Sequence, residues 1–331
     1  TLHIDTWSDA AGFRSIKEKF CHELELGLKL YCESSQRTLP HQKTLAQRDI
    51  PLHRVKGGYG VTYISALALK LEKVWGQGAI EIASPLAAAV VTNPDFTITV
   101  SPTGGIHLQL TPTGIAHWLQ GLCLQRENGA DGENGENGAK QSGTGLSVEP
   151  IVLNRLASPL QNCPPPTELP SPPTPPPRGG RGDKERQLFE VQYAHARCCS
   201  LLRLAHREGL ISVDVVGTAD WTTEETFPWL DEEGNLRFSH PAEMAVISQL
   251  AGSLDGFWDM QPGGKNASVL PLALGLSEDL LKFYADCRIF GEVKAENPTL
   301  ARARSGLLRA GMQGLKLLLE KGLGILAPLE L

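Results

Sequence analysis

Residues 191–206, VQYAHARCCSLLRLAH, bring Gln192, Tyr193, His195, Arg197, Cys198 and Cys199 within about two turns of a helix. A ring and a guanidinium on one face can stack on unpaired bases, and an amide or imidazole at the edge can read them. An imidazole one turn from a thiol could instead activate a nucleophile. The cysteines lie on the apolar side with no oxyanion donor near, and such thiols are inert core. Val191, Ala194, Cys198, Leu202 and Ala205 recur at steps of three and four and form one buried stripe. Tyr193, Arg197, Ser200 and Leu204 recur at the same spacing on the other side. The helix lies inside a bundle, or it packs on one side and meets a ligand on the other.

Three cations on the long C-terminal helical pattern, Arg302, Arg309 and Lys316, stand seven residues apart and form one stripe along its side. Leu307, Leu308, Leu315, Leu318 and Leu319 supply its buried side. The stripe is either a solvated outer face or a set of phosphate contacts. His107 and Gln109 alternate with Ile106, Leu108 and Leu110 and therefore point outwards from a strand. The acidic run Asp231, Glu232, Glu233 reads as a solvated loop, and His240 before Pro241 reads as a helix-cap or loop histidine rather than a ligand. The cluster Gly57, Gly58, Gly60 reads as a structural turn, and GxxxxGK[ST] is absent. No metal or cofactor is expected.

The elements that must hold these residues fall into two stretches. Residues 1–124 read as α+β. Phe13, Ile16, Phe20, Leu24 and Leu28 line a helix that Ser8 or Asp9 could cap, and a second helical pattern spans residues 63–75. Phe96, Ile98 and Val100, the turn SPTGG, and Ile106, Leu108 and Leu110 make a hairpin, and Thr111-Pro112 starts a helix running to about Leu124. Residues 125–185 read as a disordered linker. Its Asn/Gly-rich part is too polar to offset ordering entropy, and 10 of the 23 prolines fall in residues 159–177. An apolar island, residues 146–158, lies between them. Residues 186–331 read as all-α.

Composition narrows the class. The chain has 331 residues, 41% of them hydrophobic, and a net charge of −6. No apolar run reaches the roughly 20 residues that span a bilayer, and the seven cysteines contain no CxxC pair. A cytoplasmic location is expected, with no membrane or DNA partner. Net acidity leaves room for RNA, because a local basic stripe can neutralise phosphates. The opening threonine fits a processed or truncated chain.

QYAHAR resembles the opening helix of the DALR anticodon-binding domain of arginyl-tRNA synthetases. The blocks SHPAEMAVISQLA (239–251), FYADCRIFG (283–291) and ARARSGLLRAGMQGLKLLLEKGLGILAP (301–328) follow in that family's order. Residues 1–124 are similar, more weakly, to the family's N-terminal additional domain. There a Gly-Phe-x-Asn-Phe strand meets the tRNA elbow, and here Gly104-Gly105-Ile106-His107-Leu108 stands instead, so Gly105 offers no ring. The resemblance implies that the first and last helices of the DALR domain flank an anticodon loop. The family's Pro-Glu-Arg-Met ending is replaced by Pro328-Leu329-Glu330-Leu331. In that family a nucleotide-binding catalytic domain separates the two units. Here residues 125–185 take that position, and neither the His-x-Gly-His signature nor the lysine-serine loop occurs.

The expected protein is therefore non-catalytic and binds tRNA, arginine tRNA first. Its site residues would be Gln192, Tyr193, His195, Arg197, Arg302, Arg309, Lys316, His107 and Gln109. It would act as an adaptor toward a tRNA-modifying enzyme or arginyl-tRNA synthetase, its two sites tethered by the linker. The alternative is a DALR bundle repurposed for protein–protein interaction.

Overall fold

The computed structural model describes residues 15–37, 47–55, 60–90, 93–124, 181–212, 225–260 and 268–331. The apolar island 146–158, most of the expected linker, and Ser8, Asp9, Phe13, Gly57 and Gly58 lie outside the described residues.

The N-terminal part opens with α1 (Ile16–Ser34), capped by Ser15, whose hydroxyl accepts from the Glu18 amide. Ile16, Phe20, Leu24 and Leu28 are buried as their spacing predicts. Then come β1 (Leu52–Arg54), β2 (Thr62–Ser65), α2 (Leu67–Trp75), α3 (Ala79–Ala89), β3 (Phe96–Val100), β4 (Ile106–Leu110) and α4 (Pro112–Leu124). The strands form one antiparallel sheet in the order β1-β2-β4-β3. The hairpin and α4 lie where the sequence places them, with Thr111 accepting from the Gly114 amide at the helix start.

The helical reading of residues 63–75 needs correction. Tyr63, Leu67 and Leu71 recur at a helical step, yet Tyr63 belongs to β2. Pairing with β4 (Tyr63 to Leu108, Ile64 to His107) outweighs a local pattern only four residues long. Phe20 packs edge-on against Tyr63 and Phe96, with ring centroids 5.3 and 5.2 Å away, and ties α1 to the inner face of the sheet.

The C-terminal part comprises α5 (Arg181–Arg207), α6 (Pro241–Asp259), α7 (Val269–Asp286), α8 (Glu292–Glu296) and α9 (Pro298–Leu317), extended by a π-helical turn (Leu318–Gly322). Residues 181–185 are thus helical, not linker. Of the two readings of His240, the cap holds: its side chain accepts from the Ala242 amide, and Glu243 accepts from the His240 amide. Asp231 closes its acidic loop by accepting from the Asn235 amide at 2.7 Å. α9 runs through the middle of the helices. Gly306, Gly311 and Gly314 let Phe227 and Trp229, Leu280 and Leu250 come close against it.

The stretches read as separate domains share one contiguous core. Two seams join them. On the first, α4 lies on α9. Arg309 donates to the Cys123 carbonyl at 2.8 Å, and the Gln120 amide donates to the Glu225 carbonyl and accepts from the Phe227 amide and the Trp229 indole. On the second, α1, β1 and β2 meet α6. Asp255, 6% exposed, accepts from the Ser15 hydroxyl (2.8 Å), the Lys17 amide (3.0 Å) and the Tyr63 hydroxyl. Arg54 donates to the carbonyl and hydroxyl of Ser248, and Lys17 pairs with Asp259.

Candidate nucleic-acid interface

The apolar stripe of α5 is buried as read: Val191, Ala194, Cys198, Leu202 and Ala205 are at most 2% exposed. Its opposite side meets water. Tyr193 is 47% exposed, and Phe189, one turn before it, is 56% exposed. Arg197, one turn after, lays its guanidinium 5.3 Å from the ring centroid of Tyr284 on α7. Rings and a guanidinium therefore follow one another along a single exposed face, the arrangement on which unpaired bases stack.

Gln192 and His195 do not belong to that face. The residues 192, 195, 199 and 203 form a third side of the helix, along which residues 323–331 run. Gln192 donates to the Leu326 carbonyl at 3.5 Å, and Arg203 donates to that of Leu329 at 3.0 Å. His195 is 1% exposed, with Nδ1 2.8 Å from the Pro328 carbonyl oxygen. A residue with no surface cannot touch RNA as placed, so the reading of His195 as a contact is corrected. The signal missed was that three sides of α5, not two, are specified.

The cation stripe of α9 is corrected as well. Seven-residue spacing does align Arg302, Arg309 and Lys316, but alignment does not say what the side faces. It faces α4. Arg309 is 1% exposed, and burial lowers its pKa from the usual arginine value. Arg302 pairs with Glu225 at 2.6 Å, and Lys316 is half-buried. The phosphate contacts expected from this helix therefore have no common solvent face.

His107 and Gln109 do point outwards. His107 lies across from Ile64 and Thr99, and Gln109 from Thr62 and Thr97, so threonines and one isoleucine flank them on the outer face of the sheet. Gln109 is exposed and His107 half-buried.

His195 and the adjacent thiols are not arranged as a nucleophile and its base. The Cys199 sulfur lies 3.8 Å from His195 Nδ1, but that nitrogen faces a carbonyl, which only accepts and therefore fixes the proton there. Burial pushes the Cys199 thiol up to about 11 and Cys198 higher still, far from the thiolate. Among the described residues no group of His, Cys, Asp and Glu is placed to hold a metal, and no helix is long and apolar enough to cross a membrane.

Sequence reasoning missed Phe189 and Tyr284. Phe189 lies four residues before Tyr193, so its spacing was a usable signal. Tyr284 stands in a different element, and only tertiary packing brings it to Arg197.

Comparison with known proteins gives partial relatives. An arginine–tRNA ligase of Synechococcus sp. (strain JA-3-3Ab) is 33% identical over 144 residues, which is 44% of this chain and 22% of the relative. That of Gloeobacter violaceus is 31% identical over 131 residues, 39% of this chain and 20% of the relative. That of Moorella thermoacetica is 30% identical over 149 residues, 44% of this chain and 22% of the relative. No protein-family model and no solved structure matches. The chain is thus related to arginine–tRNA ligases over about two fifths of its own length and spans about a fifth of theirs.

Proposed function

We propose that this chain binds tRNA, arginine tRNA first, without activating an amino acid. Its α5 face would serve as the platform for a single-stranded loop. The observation that carries this is the line Phe189, Tyr193, Arg197 with Tyr284 beneath the guanidinium. Similarity to arginine–tRNA ligases supplies the substrate class. Recognition without chemistry accords with a sequence that holds no His-x-Gly-His signature. A tRNA-modifying enzyme or arginyl-tRNA synthetase would receive the bound tRNA.

The mechanism is stacking more than charge. With Arg309 inside the protein and Arg302 held by Glu225, few phosphates can be neutralised, so the affinity should fall gently with salt. The test is binding of an arginine tRNA transcript and of a non-cognate one across a salt series. Selective binding with a shallow slope is expected.

A second reading, docking of a protein partner, is favoured by the same loss of cations. It is also favoured by the exposed apolar side chains of Phe189, Tyr193, Leu326 and Leu331 on α5 and the segment along it. Failure to bind either transcript at low salt would leave that reading in place.

A further inference from the structure

We propose that residues 323–331 form a strap whose seating on α5 is set by the protonation of His195. This makes His195 a positioning residue for the α5 face. The strap is tied by Gln192 to the Leu326 carbonyl, by His195 to that of Pro328, and by Arg203 to that of Leu329 and to the Glu330 carboxylate at 3.1 Å. Ala327, between the first two ties, is buried.

The His195 tie depends on charge state for a geometric reason. A carbonyl oxygen accepts only, so Nδ1 carries the proton and Nε2 the lone pair in the neutral ring. Nε2 is buried and has no hydrogen-bond partner. A second proton would sit on that nitrogen, away from water and without an acceptor. The titratable and charged groups that face the ring are Cys199 on α5 and Lys316 on α9, while Arg203 and Glu330 pair with each other where the strap ends. Glu330 is engaged by Arg203, and Lys316 repels an imidazolium. A charged ring is therefore better accommodated outside its niche, and leaving the niche breaks the tie to Pro328.

The direction of the pH effect follows. Burial holds the His195 pKa below the ordinary 6.5, the Pro328 carbonyl pulls it back up, and Lys316 lowers it further. Above the ordinary value the ring is neutral in both the seated and the released strap, and the seat has its full stability. As pH falls below 6.5 toward the lowered value, the released form takes up the proton first and the strap loosens.

The consequence for RNA rests on the reading proposed above. Gln192 adjoins Tyr193 in sequence, and the Leu326 side chain on the strap is 78% exposed, so the strap borders the stacking face.

The deciding measurement is the protection of residues 323–331 from limited proteolysis in the full chain, normalised to cleavage of a free peptide of the same sequence, at about pH 7.5 and about pH 5.5. Wild-type protection is expected to fall by roughly an order of magnitude at the lower pH. His195→Asn keeps an N–H donor near the Nδ1 position but does not titrate, so its protection should not change with pH. His195→Leu should leave the strap poorly protected at both values. Unchanged wild-type protection, or an Asn variant that loses protection in parallel with wild type, would overturn the proposal. The wild-type comparison needs no variant to fold. Titrating an arginine tRNA transcript into the same samples separates the two ideas. A pH-sensitive strap without tRNA binding sinks the RNA reading alone, and tRNA binding with an unresponsive strap sinks this one alone.

Discussion

Tyr193 holds nearly half of its surface in water, with Phe189 and Arg197 one turn to either side. Its truncation should therefore separate binding from stability. Tyr193→Ala is expected to weaken tRNA binding by about 1–3 kcal/mol, roughly 5- to 150-fold in Kd, while the melting temperature stays within error. Equal affinity of variant and wild type in a filter-binding or anisotropy titration would remove the α5 face from the site. Arg309 should behave in the opposite way. Its guanidinium is inside the protein and serves the Cys123 carbonyl, so Arg309→Leu is expected to cost about 2–4 kcal/mol of folding stability. Its effect on tRNA affinity, measured well below the melting transition, should be small. A variant as stable as wild type but weak in binding would restore Arg309 to the interface. From sequence the two residues looked alike, each a polar group at helical spacing on a presumed outer face. Periodicity reports which residues share a side, and only the packing partner tells whether that side is wet.

Much of the element order could be read from sequence wherever local signals agree with tertiary ones. The hairpin was legible because Phe96, Ile98 and Val100 and their partners alternate on both sides of a glycine turn, and the pairing register follows the same alternation. α4 was legible from Thr111-Pro112, which really does cap and start it. α3 was not, since Pro85 interrupts its interior and reads as a stop. β1 and β2 were not, since strands of three and four residues carry too little pattern to outvote a helical one beside them. The junction of α4 with the sheet offers a test at this scale. A Cβ on Gly114 would lie 1.9 Å from the Asp95 carbonyl oxygen, a backbone atom that cannot swing aside. Gly114→Ala should therefore push α4 off β3 and cost on the order of 3 kcal/mol or more, read as a lowered urea midpoint. A substitution within error of wild type would mean that α4 shifts freely on the sheet. That outcome would also weaken the first seam, because Gln120 and Cys123 ride on the same helix.

The two stretches were expected to cooperate through a tether, which raises affinity only by effective concentration. The seams change that argument. Asp255 collects three donors from α1 and β2 at a depth where each would otherwise lack an acceptor, and Arg309 and Gln120 do comparable work between α4, α9 and the loop before α6. A carboxylate in that position stabilises the joint only while its donors are present, so its removal should act on the joint as a whole. Asp255→Ala is expected to cost about 3–5 kcal/mol, Tyr63→Phe about 1 kcal/mol, and the pair less than the sum, because both act on one hydrogen-bonded group. Additivity of the two in a double-mutant cycle would show that Tyr63 and Asp255 do not depend on each other. If the seams hold the outer sheet face and the α5 face at a fixed separation, affinity should not depend on the length of residues 127–180. Shortening that segment should then leave the tRNA Kd unchanged and calorimetry should still show a single transition for the rest of the chain. A Kd that tracks segment length would return the tether to the mechanism, since only a flexible connection makes affinity depend on its own length.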